Sequence, residues 1–349
     1  MSQAFDPTQT DQSDVVVSSR VRLARNLVGF PFVNRADPEQ CREIVTLVRS
    51  MELASGAETT WVDMTEANQT DRHILLERHL ISQQFIAAEG PRGVAINRER
   101  TLSIMVNEED HLRIQVLLPG SQLRNAWNQV NKVDHRLERS AELAVHPRWG
   151  YLTACPTNVG TAIRFSIMAH LPALRMTKEV ERLRRAANTL HLAVRGFYGE
   201  GSESSGDFYQ ISNQLTLGLS EEDLLAKFAD TVVPKVVNYE RVAREMLLER
   251  NRILLEDRVH RAVGILTTAR LLSIIEAMKQ LSRVRLGISL GLVDVVSLQD
   301  VQNLFLEIQP AHLRVAFGAN AEVQTEDMDD EWIRECRATH VRATLAKAR

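Results

Sequence analysis

Residues 107–113 read Asn-Glu-Glu-Asp-His-Leu-Arg: three consecutive carboxylates between two apolar runs, with Arg113 just beyond them. Like charges side by side repel, and a chain that only reverses direction does so more cheaply with Asn-Gly or Asp-Gly. The cluster therefore points to chemistry. Glu108, Glu109 and Asp110, with Glu200 and Glu203 in the glycine-rich stretch 195–203, are the candidate acids and bases. A guanidinium has a pKa above ~12 and no free lone pair on nitrogen, so its use as a nucleophile requires carboxylates that orient it and accept a proton. Spacing alone also leaves open an exposed acidic turn or a magnesium shell acting through water.

A second group is cationic. Arg20, Arg22, Arg113, Arg164 and Arg195 come from separate strands or loops, several of them on polar sheet faces. Such a set can clamp a triphosphate and neutralise a transferring phosphoryl group without a phosphate loop; the alternative is a solvated charged face. Cys155, before a proline, reads either as a small buried hydrophobe or, beside arginines, as a thiolate. His79, in Leu76-Glu-Arg-His-Leu-Ile-Ser82, reads as a helix-surface histidine. Walker A, HRD, DFG, HExxH and CxxC patterns are all missing.

The elements that must position these groups follow from periodicity. Val15–Leu23 reads as a strand with Arg20 and Arg22 on one face and Val17, Ser19, Val21 and Leu23 on the other. Asp37-Pro38-Glu39-Gln40 opens a helix with apolar residues at helical spacing. From Gly93 a meander runs through strands at 94–96, 101–106 and 111–118, the last with Leu112, Ile114, Val116 and Leu118 on one face and His111, Arg113 and Gln115 on the other. Further strands are expected at 151–154, 163–169 and 208–217, and a helix over 178–193 capped by Thr177. Ser220 with Asp223 and Ser297 with Asp300 open long amphipathic helices, the second ending before Pro310.

Composition bounds the rest. The 349 residues, 44% apolar and 25% charged, are ordinary globular material with room for two units, 1–240 and 241–349. A net charge of -3 gives no global attraction to nucleic acid, and no apolar run approaches the ~20 residues of a membrane span. Three separated cysteines suggest neither a disulfide framework nor structural zinc. The N-terminus lacks a secretory signal, so a cytoplasmic protein is expected. Of the 42 basic residues 36 are arginine, which fits biased base composition or a need for phosphate-binding forks.

Together, Ser18-Ser-Arg-Val-Arg22, Asn107-Glu-Glu-Asp-His-Leu-Arg113, Cys155-Pro-Thr-Asn-Val-Gly-Thr161, Arg195-Gly-Phe-Tyr-Gly-Glu-Gly-Ser-Glu203 and Gln210-Ile-Ser-Asn213 resemble the phosphagen kinase (ATP:guanidino phosphotransferase) family. The likeness is strongest to its bacterial branch, which phosphorylates arginine in proteins, and Ile308-Gln-Pro-Ala-His-Leu313 extends it over nearly the whole chain. The resemblance implies an α+β fold, a curved antiparallel β-sheet flanked by helices with a C-terminal helical domain. It implies an ATP site formed by Ser18, Ser19, Arg20, Val21 and Arg22, by Arg113, by Arg164, Phe165, Ser166, Ile167 and Met168, and by Arg195, Gly196, Phe197, Tyr198, Gly199 and Glu200. The five arginines would hold phosphates and His79 would lie against adenine. Glu109 and Glu200 would grip the substrate guanidinium, with Glu203 a further candidate and Cys155 beside it.

ATP and Mg2+ are the implied cofactors, with no protein metal site assigned. The implied partners are proteins with exposed arginine, an activator protein, Clp-type protease machinery for regulated proteolysis under stress, and a second copy in a homodimer. Small-guanidino kinases of the family carry a helical domain ahead of the first arginine motif, whereas only 17 residues precede Ser18 here. A site open on that side would admit an arginine side chain of a protein. The alternatives are a kinase of free arginine or another small guanidine, and a non-catalytic phosphoarginine-binding module. In the bacterial branch's phosphoarginine-binding region, Arg-Asp-x-x-Arg-Ala, this chain reads Arg337-Ala-Thr-His-Val-Arg342-Ala343, with the first arginine shifted and the acid absent.

Overall fold

Ten residues of mixed valine, serine and arginine from Val16 form a strand that pairs on both edges and becomes the spine of the molecule. The structure, a computed structural model, describes residues 12–54, 59–196, 205–318 and 329–347. Its strands are β1 (Val16–Arg25), β2 (Thr60–Asp63), β3 (Gly93–Ile96), β4 (Leu102–Val106), β5 (Leu112–Pro119), β6 (Val145–His146), β7 (Gly150–Tyr151), β8 (Ile163–His170), β9 (Leu192–Gly196) and β10 (Phe208–Asn213). Eight make one antiparallel sheet in the order β2-β3-β4-β5-β1-β8-β10-β9, while β6 and β7 form a separate hairpin.

The helices are α1 (Pro38–Ser50), α2 (Gln69–Glu77), α3 (Gln83–Ala87), α4 (Leu123–Ser140), α5 (Pro172–Met176), α6 (Val180–Thr189), α7 (Glu221–Ala226), α8 (Val233–Thr268), α9 (Ile274–Ser289), α10 (Leu298–Glu307), α11 (Pro310–Ala316) and α12 (Glu331–Lys347). The expected signals at Asp37 and Ser297 act as full capping boxes, and Ser220 caps α7. α4 covers the apolar face of the sheet, burying Trp127, Val130 and Leu137, with Trp127 edge-on to Phe165 at 6.0 Å between centroids. α8 runs from this core into a second one, breaking from helical geometry at Asn251; α9, α10 and α12 complete that second core around Leu281, Val301, Phe305 and Val341. Phe208 of β10 stands edge-on to Phe305 of α10 at 4.7 Å, so the helical part closes over one end of the sheet's polar face.

Several expectations need correction. Thr177 closes α5 rather than opening a helix, and Lys178 at φ 62° starts a turn, so α6 spans only Val180–Thr189. The strand placed at 151–154 is reduced to Gly150–Tyr151, and that placed at 208–217 ends at Asn213. A register shift between Val16 and Ser18 brings Val17 to the cleft that Arg20 lines, not to the opposite face. His111, just before β5, and Gln115 within it, both expected on the polar side, are buried.

Candidate active site

Residues directly opposite in an antiparallel ladder share a face. Arg22 lies opposite Arg164 on one side and Gln115 on the other; Arg20 lies opposite Ser166, and Ala24 opposite Arg113. Gln210 joins Met168 to Arg195 in the same way. The alternation that buries Val21, Leu23, Phe165 and Ile167 against α4 thus sets all five arginines on the other face.

They crowd one another. Burial, followed by the charges of Arg113 and Arg164, brings Arg20 down to about 10. Arg22 is pushed well below its ordinary value by burial and by Arg20, Arg113 and Arg164, with Glu108 opposing. Arg164 is lowered by burial and then by Arg195 and Arg113. A guanidinium does not give up its proton in practice, so these shifts express repulsion that a polyanion would relieve. Buried Nε of Arg22 has no hydrogen-bond partner among the described residues. Residues and charge alike fit a phosphate chain.

The acidic turn divides its carboxylates. Asn107 takes φ 63°, a left-handed conformation that asparagine tolerates, and its N–H donates to His111 O at 3.0 Å to close the turn. Glu108 accepts from Ser82 Oγ and from Arg113 Nη1, each at 2.5 Å. Burial opposes its ionisation, but Arg113 and these bonds outweigh burial and hold it below the usual range. Asp110, 2% exposed, accepts from Asn26 Nδ2 and Ala154 N, both at 2.7 Å, and so anchors the loop before Cys155.

Glu109 is held differently. Burial, then the charges of Asp110 and Glu108, raise it above the carboxylate norm, with Arg113 and a hydrogen bond to Cys155 opposing. It lines a cleft of ≈ 90 Å³ together with Arg22, Arg113 and Arg164. A half-exposed carboxylate with raised proton affinity, facing a space the size of a guanidinium, can orient that group and take its proton.

His79 is not on a helix surface. α2 ends at Glu77 with Arg78 as its C-cap, and His79 takes φ 58° in the position where helices usually place glycine. Gln115 Nε2 donates to His79 O at 2.7 Å and holds the turn. Burial, then Arg20, lowers the imidazole to about 4, so it is neutral. It lines a second cleft of ≈ 380 Å³ with Ser18, Arg20, Met168 and Phe208; Arg20 and Arg22, adjacent on one face of β1, link the two clefts.

Of the expected site residues, Ser18, Arg20, His79, Ser166, Ile167 and Met168 line the larger cleft, and Arg22, Glu109, Arg113 and Arg164 the smaller. Ser19, Val21 and Phe165 face away and are buried: Ser19 Oγ donates to Gly120 O, and Val21 and Phe165 pack in the core. Cys155 Sγ lies 3.0 Å from Thr157 Oγ1, near enough to Glu109 to oppose the rise in its proton affinity. Arg195 and Gly196 end β9, whereas Phe197, Tyr198, Gly199, Glu200 and Glu203 lie outside the described residues. Ser82, Gln115 and Glu77 went unrecognised, as did the α10 side chains that form a wall of the larger cleft. Ser82 carried a signal as an N-cap and Gln115 as a neighbour of Arg113 on the polar face of its strand, whereas Glu77 and the α10 side chains carried none. Among the described residues no three His, Cys, Asp or Glu side chains gather as a metal site.

Residues 42–243 match the family described as ATP:guanido phosphotransferase, C-terminal catalytic domain, and residues 252–349 match the Protein-arginine kinase McsB C-terminal domain. The chain is 43% identical over 307 residues to a protein-arginine kinase of Halothermothrix orenii, covering 88% of each. It is 44% identical over 324 residues to that of Brevibacillus brevis, covering 91% of this chain and 89% of the other. Among solved structures, the duplicated taurocyamine kinase of Schistosoma mansoni with bound transition state analog components superposes with a TM-score of 0.60 at 26% identity, over 74% of this chain and 39% of that longer one. A lombricine kinase shares the fold, with a TM-score of 0.57 at 24% identity over 69% and 71% of the two chains.

Proposed function

The chain belongs to the ATP:guanido phosphotransferase family, and we propose that it transfers the γ-phosphoryl group of ATP to the guanidinium of arginine residues in proteins. The observation that carries this reading is the arginine face of the sheet, which runs from a base-sized cleft at His79 to a guanidinium-sized cleft at Glu109. Arg20, Arg22, Arg113, Arg164 and Arg195 hold the phosphates and stabilise the charge that spreads over the transferring group. Glu109 orients the substrate guanidinium and removes a proton as the nitrogen attacks phosphorus in line with the departing ADP oxygen. Glu200 is its partner and Glu203 a further candidate by resemblance, with Cys155 at the edge of the group.

Magnesium fits this site as a companion of the nucleotide. Glu108 and Asp110 are committed to protein donors, so an ion arriving with the nucleotide would keep phosphate and water ligands, with Glu109 the nearby carboxylate left to approach it. It adds positive charge against the phosphates when bound.

The same reading divides the chain within α8 into a catalytic part, 1–240, and a helical part, 241–349. A homodimer, an activator and delivery of marked proteins to a Clp-type protease complete it, and these rest on resemblance. No helix among the described residues is long and apolar enough to cross a membrane. Incubation with γ-labelled ATP separates the two catalytic readings: label on a disordered protein substrate is expected, and label on free arginine alone overturns the protein-substrate reading.

A further inference from the structure

The larger cleft is built by two parts of the chain that are distant in sequence. One wall is the sheet face with Ser18, Arg20 and Met168; the opposite one is α10, which begins 128 residues after β8 ends, with Gln302, Phe305 and Leu306. Arg20 and its neighbours claim the phosphates, which leaves the part lined by Met168, Phe208 and Phe305 for a flat ring.

The polar groups on the α10 side are not equivalent. Gln299 Nε2 donates to Asn303 Oδ1 at 2.9 Å, so these two satisfy one another. Gln309 Nε2 donates to Phe305 O at 2.9 Å and is tied into the helix end. Gln302 Oε1, in contrast, is buried with no hydrogen-bond partner among the described residues. An acceptor removed from water and left unmet is destabilising unless a ligand supplies a donor.

We infer that Gln302 reads the base of the phosphoryl donor and is a specificity-determining residue contributed by the C-terminal helical region. This rests on the reading of the cleft as the ATP site. Adenine presents an exocyclic amino donor next to a ring-nitrogen acceptor, the complement of a carboxamide's oxygen and amide group. Guanine presents O6 where adenine has its amino group, so the same amide oxygen would face an acceptor. A neutral His79 on the other side can contribute stacking without charge.

The test is calorimetric titration of the full-length protein, Gln302→Leu and Gln302→Glu with ATP and with GTP. Gln302→Leu is expected to weaken ATP binding roughly 10-fold, the scale of one good bidentate base contact, and to leave GTP binding and the thermal midpoint in place. Gln302→Glu, which keeps an acceptor, is expected to retain part of the preference for ATP. An unchanged ATP-to-GTP ratio in Gln302→Leu overturns the assignment, as does an equal loss of both affinities. If the unaltered protein binds neither nucleotide, both this inference and the ATP reading fall; if it binds ATP with the expected ratio but phosphorylates nothing, only the function reading falls.

Discussion

Three neighbouring carboxylates do three different jobs. All three border the small cleft, but Glu108 is paired with Arg113 and Asp110, though also raised by burial, is tied to Asn26 and the Cys155 loop, which leaves Glu109 to meet a ligand there. Glu109→Gln keeps shape but not basicity, so the rate of transfer should fall by about 10²–10⁴-fold while ATP affinity, measured by titration, stays nearly unchanged. Because burial and like charge raise Glu109, its ionised form, the proposed base, is lost at a higher pH than for an ordinary glutamate as pH falls. The acid limb of the pH–rate profile should therefore be displaced upward from that of an ordinary glutamate and be missing from the residual activity of Glu109→Gln. On the proposed reading Arg164→Ala removes one donor from the developing charge and should cost roughly 10²–10³-fold in rate. The sequence exposed the acidic cluster and the arginines because both are unusual in their places. It did not reveal which carboxylate is committed, because Ser82, Asn26 and Ala154 reach the turn only through tertiary contacts.

At the scale of elements, periodicity predicted strand faces well, and short-range rules erred where the chain takes left-handed turns. Lys178 and His79, both at positive φ, end helical segments that periodicity alone would carry on or place on a surface. The loop 155–160 shows what such turns support. Gly160 has φ 120°, and a Cβ there would lie 2.0 Å from Thr216 O, a residue whose hydroxyl also donates to Val159 O at 2.8 Å. Gly160→Ala should destabilise the protein by about 1–3 kcal/mol through strain and displace Cys155, read as an earlier denaturant midpoint together with lower activity. α7 offers a pH test. Glu221 in its first turn is raised to about 7 by burial, then by Asp134 and Glu222 against the pull of Arg25. The folded state thus keeps a proton that the unfolded chain gives up near its ordinary value of about 4.3. The stability from this group is complete at low pH and lost as pH rises through about 7. Glu221→Gln should flatten that decline in unfolding curves taken between pH 5 and 8.

At the scale of the whole molecule, the second apolar core closes over one end of the sheet's polar face, and the larger cleft, proposed to take the nucleotide, lies between them. Glu77, at the end of α2, accepts from Ala311 N at 2.8 Å and from His312 N and Nδ1 at 3.1 and 2.7 Å, which ties the helical region to the turn that carries His79. Phe208 against Phe305 makes a second tie. Periodicity and capping pointed to strands early in the chain and helices late; that the late helices supply a wall of the sheet's cleft was hidden, since Glu77 and Ala311 are 234 residues apart. ATP at a hundredfold excess over its dissociation constant should stabilise the fold by about 2.7 kcal/mol, with the sheet and the helical region rising together in a thermal scan. The most direct measurement is mass spectrometry, under non-acidic handling, of a disordered model protein incubated with ATP and this enzyme. The account predicts phosphate on arginine side chains that disappears with Glu109→Gln. Phosphate on serine, threonine or tyrosine, or phosphoarginine that persists with Glu109→Gln, would contradict it.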